Sequence, residues 1–252
     1  ALTTTQLGAL TTVQGAARPS SWPRPINLKA LATTQLAGFT STQIATFTTT
    51  QIATLTTTQI ATLTTTQLSG LTTTDIAALD TTQVAAIKSS QLGALSAAQI
   101  KGFTVTQIAA FSTTQLGGLS ITEISGMTTS QIGAFLTTQL GTLTTTQIKG
   151  FTATGIGALS ETQLGGLSST QLSGLSNAAV AGLSSTQLSA LVTTQLSGLT
   201  TVEIAAFSTT QIGLLTTTQL GALSTTQLVG LTSAQIGALS DSQVVALSTT
   251  QL

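Results

Sequence analysis

From Leu31 to Ala246 the chain repeats every eight residues for 27 consecutive units, without one insertion or deletion. A period held that strictly means that the units pack on one another, because a free linker tolerates slips. Numbered from its large apolar residue, the unit reads L-T-T-T-Q-I-G-A. Position 1 is always large and apolar and holds every Phe and the single Met, Met127. Position 6 is always Leu, Ile or Val. Positions 7 and 8 are mostly Ala, Gly or Ser, and every glycine except Gly15 and Gly155 sits at one of them.

Position 2 is nearly always Ser or Thr, and position 5, three residues later, is nearly always Gln. This is the S/T-x-x-Q capping box, in which a hydroxyl accepts from one orphan amide of a helix start and the Gln side chain reaches back to another. The exceptions keep that chemistry: Asp80 is another good N-cap, and Glu123 and Glu203 can reach back as Gln does. Positions 6 and 1 are three residues apart and fall on one face of a short helix. A new cap follows immediately, so each octad is expected to be one short helix ended by a tight corner, with small residues letting backbones approach.

One continuous helix is disfavoured, because eight residues advance by about 800°, or about 80° beyond two turns, and the apolar stripe would wind around the axis. The fold class expected is therefore α, a repeat solenoid of short capped helices, one per octapeptide. The alternative is a β-solenoid, since Thr and Ile favour strands. Positions 1 and 6 would then face opposite sides of the strand unless every octad held a corner.

Composition closes off most chemistry. The chain has no His and no Cys, which excludes Ser-His-Asp and Cys-His catalysis, histidine-ligated and thiolate metal sites, and disulfides. Carboxylates stand singly at Asp75, Asp80, Glu123, Glu161, Glu203 and Asp241. Only Asp75 and Asp80 are close in sequence, and both read as cap substitutions before they read as a Ca²⁺ or acid/base pair. No phosphate-binding loop motif occurs. The chain is expected to be non-enzymatic, with no cofactor and no metal. Six basic and six acidic residues cancel, so no field attracts nucleic acid or an anionic membrane. No apolar run approaches the ~20 residues of a membrane span.

Three regions follow from the pattern. Residues 1–14 hold two N-terminal octapeptide repeats, 15–30 a linker or insertion, and 31–252 the continuous array. Residues 15–30 contain all three prolines, the single Trp and half of the basic residues. Proline removes a backbone donor and biases its predecessor to extended backbone. Within this segment Trp22, flanked by Pro23 and Arg24 and close to Arg18, is the candidate protein-contact anchor, because Trp and Arg most often carry interface energy. The opposing reading is a loop lying back over the first apolar units. The chain starts and stops within repeats, and it reads as a processed chain or a window of a longer array.

The units LTTTQIAT, FSTTQLGG and LSSTQLSG resemble the Ser/Thr-Gln octapeptide arrays of very large bacterial surface and secreted proteins, the adhesion or haem-utilisation exoprotein type. The resemblance implies an extracellular or cell-surface stalk, spacer or filament. It carries over no haem ligand, since Met127 sits at a core position. The function expected is a structural rod, stalk or self-assembling filament, and its partner a second copy in a homo-oligomer or head-to-tail filament, which sparse surface charge favours. The alternative is a binding module, an adhesin or an ice- or polysaccharide-binding surface built on Thr-rich faces. Positions 3 and 4 vary more than a uniform ice-binding face would.

Overall fold

A computed structural model describes residues 27–251. Among these residues every octad from 31 onwards up to 246 carries one α-helix of four to six residues, 27 in all, preceded by a 3-10 turn at Leu28–Ala30, and there is no strand. The α-solenoid is the observed class and the β alternative falls away. The described residues divide into two compact units, one up to Leu119 and one from Ser120.

The local structure of one octad follows from its residues. In the octad of Leu55 the N-cap Thr56 is extended (φ −74°, ψ 159°) and its hydroxyl accepts from the Gln59 amide. The Gln59 Oε1 accepts from the Thr56 amide at 2.8 Å, completing the box. Helix Thr57–Thr62 then runs until Leu63 turns the backbone extended again (φ −58°, ψ 135°). One helical turn of this length is far too short to stand alone in water. Its stability has to come from the caps and from stacking.

Stacking takes the same form in both units. In the first, Thr57–Thr62 packs between Thr33–Leu36 and Thr81–Ala85. In the second, Glu161–Gly165 packs between Thr137–Leu140 and Ser185–Ala190. Within each unit, helices therefore pack on those three octads away. Position 6 of nearly every octad is fully covered, as at Ile52, Ile108, Leu188 and Ile212, and position 1 nearly so. Phenylalanines at successive positions 1 meet edge to face, Phe39 with Phe47 and Phe103 with Phe111, at 5.2 and 5.1 Å between ring centres. From Leu228 onward the same apolar positions are only partly covered; Ile236 is 54% exposed. Burial is thus supplied by octads three to four units further along the array.

Position 8 shows what the small residues do. A Cβ on Gly118 would lie 2.1 Å from the carbonyl oxygen of Ser89, and one on Gly198 would lie 2.3 Å from that of Ser169. Both pairs are 29 residues apart. These glycines exist for close backbone approach between turns. Gly165, in contrast, has nothing within 4 Å of where its Cβ would be. Gly118→Ala should lower stability by about 1–3 kcal/mol through overpacking, whereas Gly165→Ala should raise it by about 0.4–1 kcal/mol through the unfolded chain. Paired thermal melts check this, and equal effects would show that the approach at Gly118 is not a constraint.

Candidate functional site

The feature that organises the interior is a row of buried glutamines. Each position-5 Gln has its Oε1 committed to its own N-cap amide, and this leaves the Nε2 group pointing away from its own helix. In Gln187, 2% exposed, Oε1 accepts from the Ser184 amide at 2.8 Å. Its Nε2 donates to the carbonyls of Ile156 and Leu159, both at 2.8 Å. Gln59 does the same to Leu28 and Leu31, Gln115 to Val84 and Ile87, and Gln219 to Leu188 and Leu191. The acceptors always lie 28 and 30 or 31 residues earlier, at the corner between two helices. The carbonyl at the end of the helix also takes the corner amide, as Ile156 does from Leu159, whereas the one 28 residues before the Gln has no amide donor, and the next turn brings it. One turn of the stack accordingly takes between three and four octads.

The substituted positions define what the ladder needs. N-caps without a side-chain acceptor, Lys88, Leu136 and Val192, keep the return bond from their own amides to Gln91, Gln139 and Gln195. Gly155 and Ala179 show the converse: their amides still bond to the hydroxyls of Thr152 and Ser176, but no carboxamide follows. Among the described residues no donor then reaches the carbonyls of Met127 and Phe151, which stand 28 residues before these two positions. Asp75, 2% exposed, accepts from the Thr72 amide and hydroxyl and, on its other oxygen, from the Thr49 hydroxyl at 3.0 Å. There the inter-turn bond runs in the opposite direction.

The carboxylates named from the sequence as cap substitutions occupy those places. Asp80 Oδ1 accepts from the Thr82 hydroxyl and the Gln83 amide, at 2.6 and 2.8 Å. These bonds, the Thr82 hydroxyl foremost, hold its carboxyl below the ordinary value. Glu123 accepts from the Ser120 amide, yet burial outweighs that bond and pushes its carboxyl up. Glu203 accepts from the Thr200 amide at 2.6 Å and the Thr200 hydroxyl at 2.9 Å.

Trp22, Arg18, Arg24 and Pro23 lie outside the described residues, as does the N-terminal region 1–14. Of the segment 15–30 only Asn27 to Ala30 is described; there Leu28 is fully buried and its carbonyl accepts from Gln59. Leu28 thus already serves as a position-6 residue. A shallow groove of about 390 Å³ lies around Glu161, walled by Thr162, Ser184, Thr186 and Gln187. Among the described residues no three His, Cys, Asp or Glu side chains are grouped to hold a metal ion. No helix among them is long and apolar enough to cross a membrane.

Three segments match the ALTTAQ repeat family. They are residues 84–121, 193–225 and 218–249, less than half of the chain, and they lie entirely within the octad array. The match supports a repeat-array protein of ALTTAQ type over those segments. No curated protein matches the chain significantly.

The Nε2 half of the ladder was legible in one signal that the capping box does not explain. Glu satisfies the box as well as Gln, yet 23 of the 28 position-5 residues from Gln35 to Gln251 are Gln and two are Glu. Only a carboxamide can accept at one end and donate twice at the other.

Replacing Gln187 with Ala should strand the Ser184 amide and the Leu159 carbonyl, take a second donor from the Ile156 carbonyl, and lower stability by about 2–4 kcal/mol, read by thermal or denaturant unfolding; a change below about 0.5 kcal/mol would remove the ladder as a structural determinant. For Glu123 the raised native value means that folding disfavours the charged form. Its contribution is intact below the unfolded value near 4.5 and is lost as pH rises through the raised one. Glu123→Gln should therefore gain more over the native chain at pH 7 than at pH 4, and melts of both chains at the two pH values test it.

Proposed function

We propose that the chain is a non-enzymatic structural array, an extracellular or cell-surface stalk, spacer or filament extended by end-on stacking. The observation that carries this reading is the uniform inter-turn bond. The same glutamine-to-corner contact recurs within each unit, as at Gln59 and Gln115 in the first and Gln187 and Gln251 in the second, so a further octad in register finds acceptors and an apolar bed already in place. The last described turn offers the corner carbonyls after Leu228 and Ile236 and the half-open side chains of Leu231 and Leu239. A second copy of the chain is the partner proposed for that face. Its opening octads carry Gln6 and Gln14 at the required spacing of eight, and Arg18, Arg24 and Lys29 follow them, opposite in charge to Asp241. The absence of His and Cys from the sequence, the single carboxylates and the shallow surface support a non-enzymatic role.

The groove at Glu161 favours a second reading, a binding module for a neutral polyhydroxy ligand such as a polysaccharide, since one carboxylate there is surrounded by hydroxyls. Ice binding is disfavoured, because exposed Val105, Ile121 and Val202 interrupt the hydroxyl positions.

Negative-stain microscopy of the purified chain should show elongated particles joined end to end. Ile236→Asp with Val244→Asp should reduce them to single particles while leaving the circular dichroism unchanged. Compact particles, or assembly indifferent to these substitutions, would overturn the filament reading.

A further inference from the structure

An ordinary octad of the second unit is tied to other turns at its start, its middle and its end. In residues 159–166 the Leu159 carbonyl receives from Gln187 at 2.8 Å, Gln163 Nε2 donates to the Gly133 and Phe135 carbonyls at 2.9 and 2.6 Å, and the Leu164 carbonyl receives from Gln195 at 3.1 Å. The octad before it, residues 151–158, keeps only the last of these ties. Its position 5 is Gly155, so nothing is donated to the Met127 corner, and position 5 of the octad stacked on it is Ala179, so among the described residues no donor reaches the Phe151 carbonyl. The end alone is held, by Gln187 Nε2 on the Ile156 carbonyl at 2.8 Å.

Inside the octad the local bonds are the usual ones. The Thr152 hydroxyl accepts from the Gly155 amide at 3.0 Å, and the Ile156 amide donates to the Thr152 carbonyl at 2.9 Å, as the Leu164 amide does to Ser160. The helix they start, Ala153–Gly157, has two glycines in five residues, and glycine is the poorest helix former after proline. Close approach of Gly182 to the Ala153 backbone does not compensate, because Gly198 approaches Ser169 in the same way where the Gln171 rung is whole. The corner left without a donor is also less covered: Met127 is 9% exposed, against 2% for Phe135 and 3% for Leu143 at the next two positions 1.

We propose that residues Phe151 to Gly155 are a yield point built into the second unit, a half-octad that opens by itself while the turns around it stay closed. In a stack, stability is a sum over neighbouring contacts, so the stretch with fewest ties opens first. Phe151, 1% exposed when closed, is the side chain that opening presents to solvent. Ile156, held through Gln187, marks where the opening stops, and the whole rungs of Gln163 and Gln171 confine it along the chain. Such a point lets the stack give way at one fixed place without breaking another rung. It is independent of end-on assembly, since every residue involved lies inside the second unit.

Native-state hydrogen exchange of the full chain, resolved to single amides by NMR, tests this. The Ile156 and Leu164 amides make the same local bond, so their protection factors compare directly. Ile156 should be protected about tenfold less than Leu164, through an opening insensitive to low denaturant. Gly155→Gln supplies the missing carboxamide and should bring Ile156 to within about twofold of Leu164 while leaving Leu164 unchanged. Gln163→Ala removes the same tie from the next octad and should lower the protection of Leu164 by about three- to tenfold, an arm that stands even where Gly155→Gln does not fold. Equal protection of Ile156 and Leu164 in the native chain, exchange that rises in parallel across the unit, or an unchanged Leu164 in Gln163→Ala would overturn the proposal.

Discussion

The structure depends on a carboxamide that works at both ends. The oxygen of a position-5 Gln such as Gln187 closes the first turn of its own helix, and the nitrogen closes the end of a helix one turn earlier in the same unit. A four-residue helix leaves most of its amides and carbonyls without partners inside itself, so caps count for more here than in a long helix. The Gln side chain supplies a donor and an acceptor to two different helices at once. Local structure and stacking thereby become one event, because a side chain fixed by its own cap is already aimed at the neighbouring turn.

Several other features follow from that register. Bonds to residues 28 and 31 positions earlier place each helix over a corner, while direct helix-on-helix contacts run between octads three apart. Corners consequently approach corners, and position 8 has to be small wherever a carbonyl of the preceding turn closes in, as at Gly118 and Gly182. The apolar positions are less demanding. Position 1 accepts Leu, Ile, Phe or Met and position 6 Leu, Ile or Val, because the space between turns is filled by shape-tolerant aliphatic contacts. This is why the array drifts in sequence at its core positions while keeping its period.

The local half of this fold was legible and the nonlocal half was not. Capping boxes, the shared face of positions 6 and 1, and the role of Asp80, Glu123 and Glu203 all follow from spacings of three residues, and the helices appear where those spacings place them. Close approach at the small positions was also readable, although which glycines meet a carbonyl depends on the turn. The number of octads per turn left no trace, since 28 and 31 are not multiples of eight and no self-similarity of the sequence marks them. Gln was read as half a capping box because that half is satisfied within the octad; its excess over Glu was the sign of a second obligation. The start of packing at Leu28 was hidden because a proline-rich segment obscures the octad phase there. Trp22 and its neighbours, the only individual residues marked for partner contact, fall outside the described residues.

Imperfect rungs show how a repeat stack absorbs change. Asp75 is too short for the corner carbonyls and instead draws a hydroxyl from Thr49, so the bond survives with its polarity reversed. Gly155 and Ala179 discard the bond, and they do so at octads that lie directly on each other, in helices Ala153–Gly157 and Asn177–Ala181. There Gly182 lets the backbones close to where a Cβ would stand 2.4 Å from the Ala153 carbonyl oxygen. Backbone proximity and an alanine buried to 0% exposure fill part of the space that two glutamines would occupy. A defect confined to one stacked pair leaves the rungs on either side intact, because each rung bonds only to the turn before it. Loss of a rung in a globular core would propagate through shared partners; in this array it costs one corner carbonyl its donor, Met127 at Gly155 and Phe151 at Ala179.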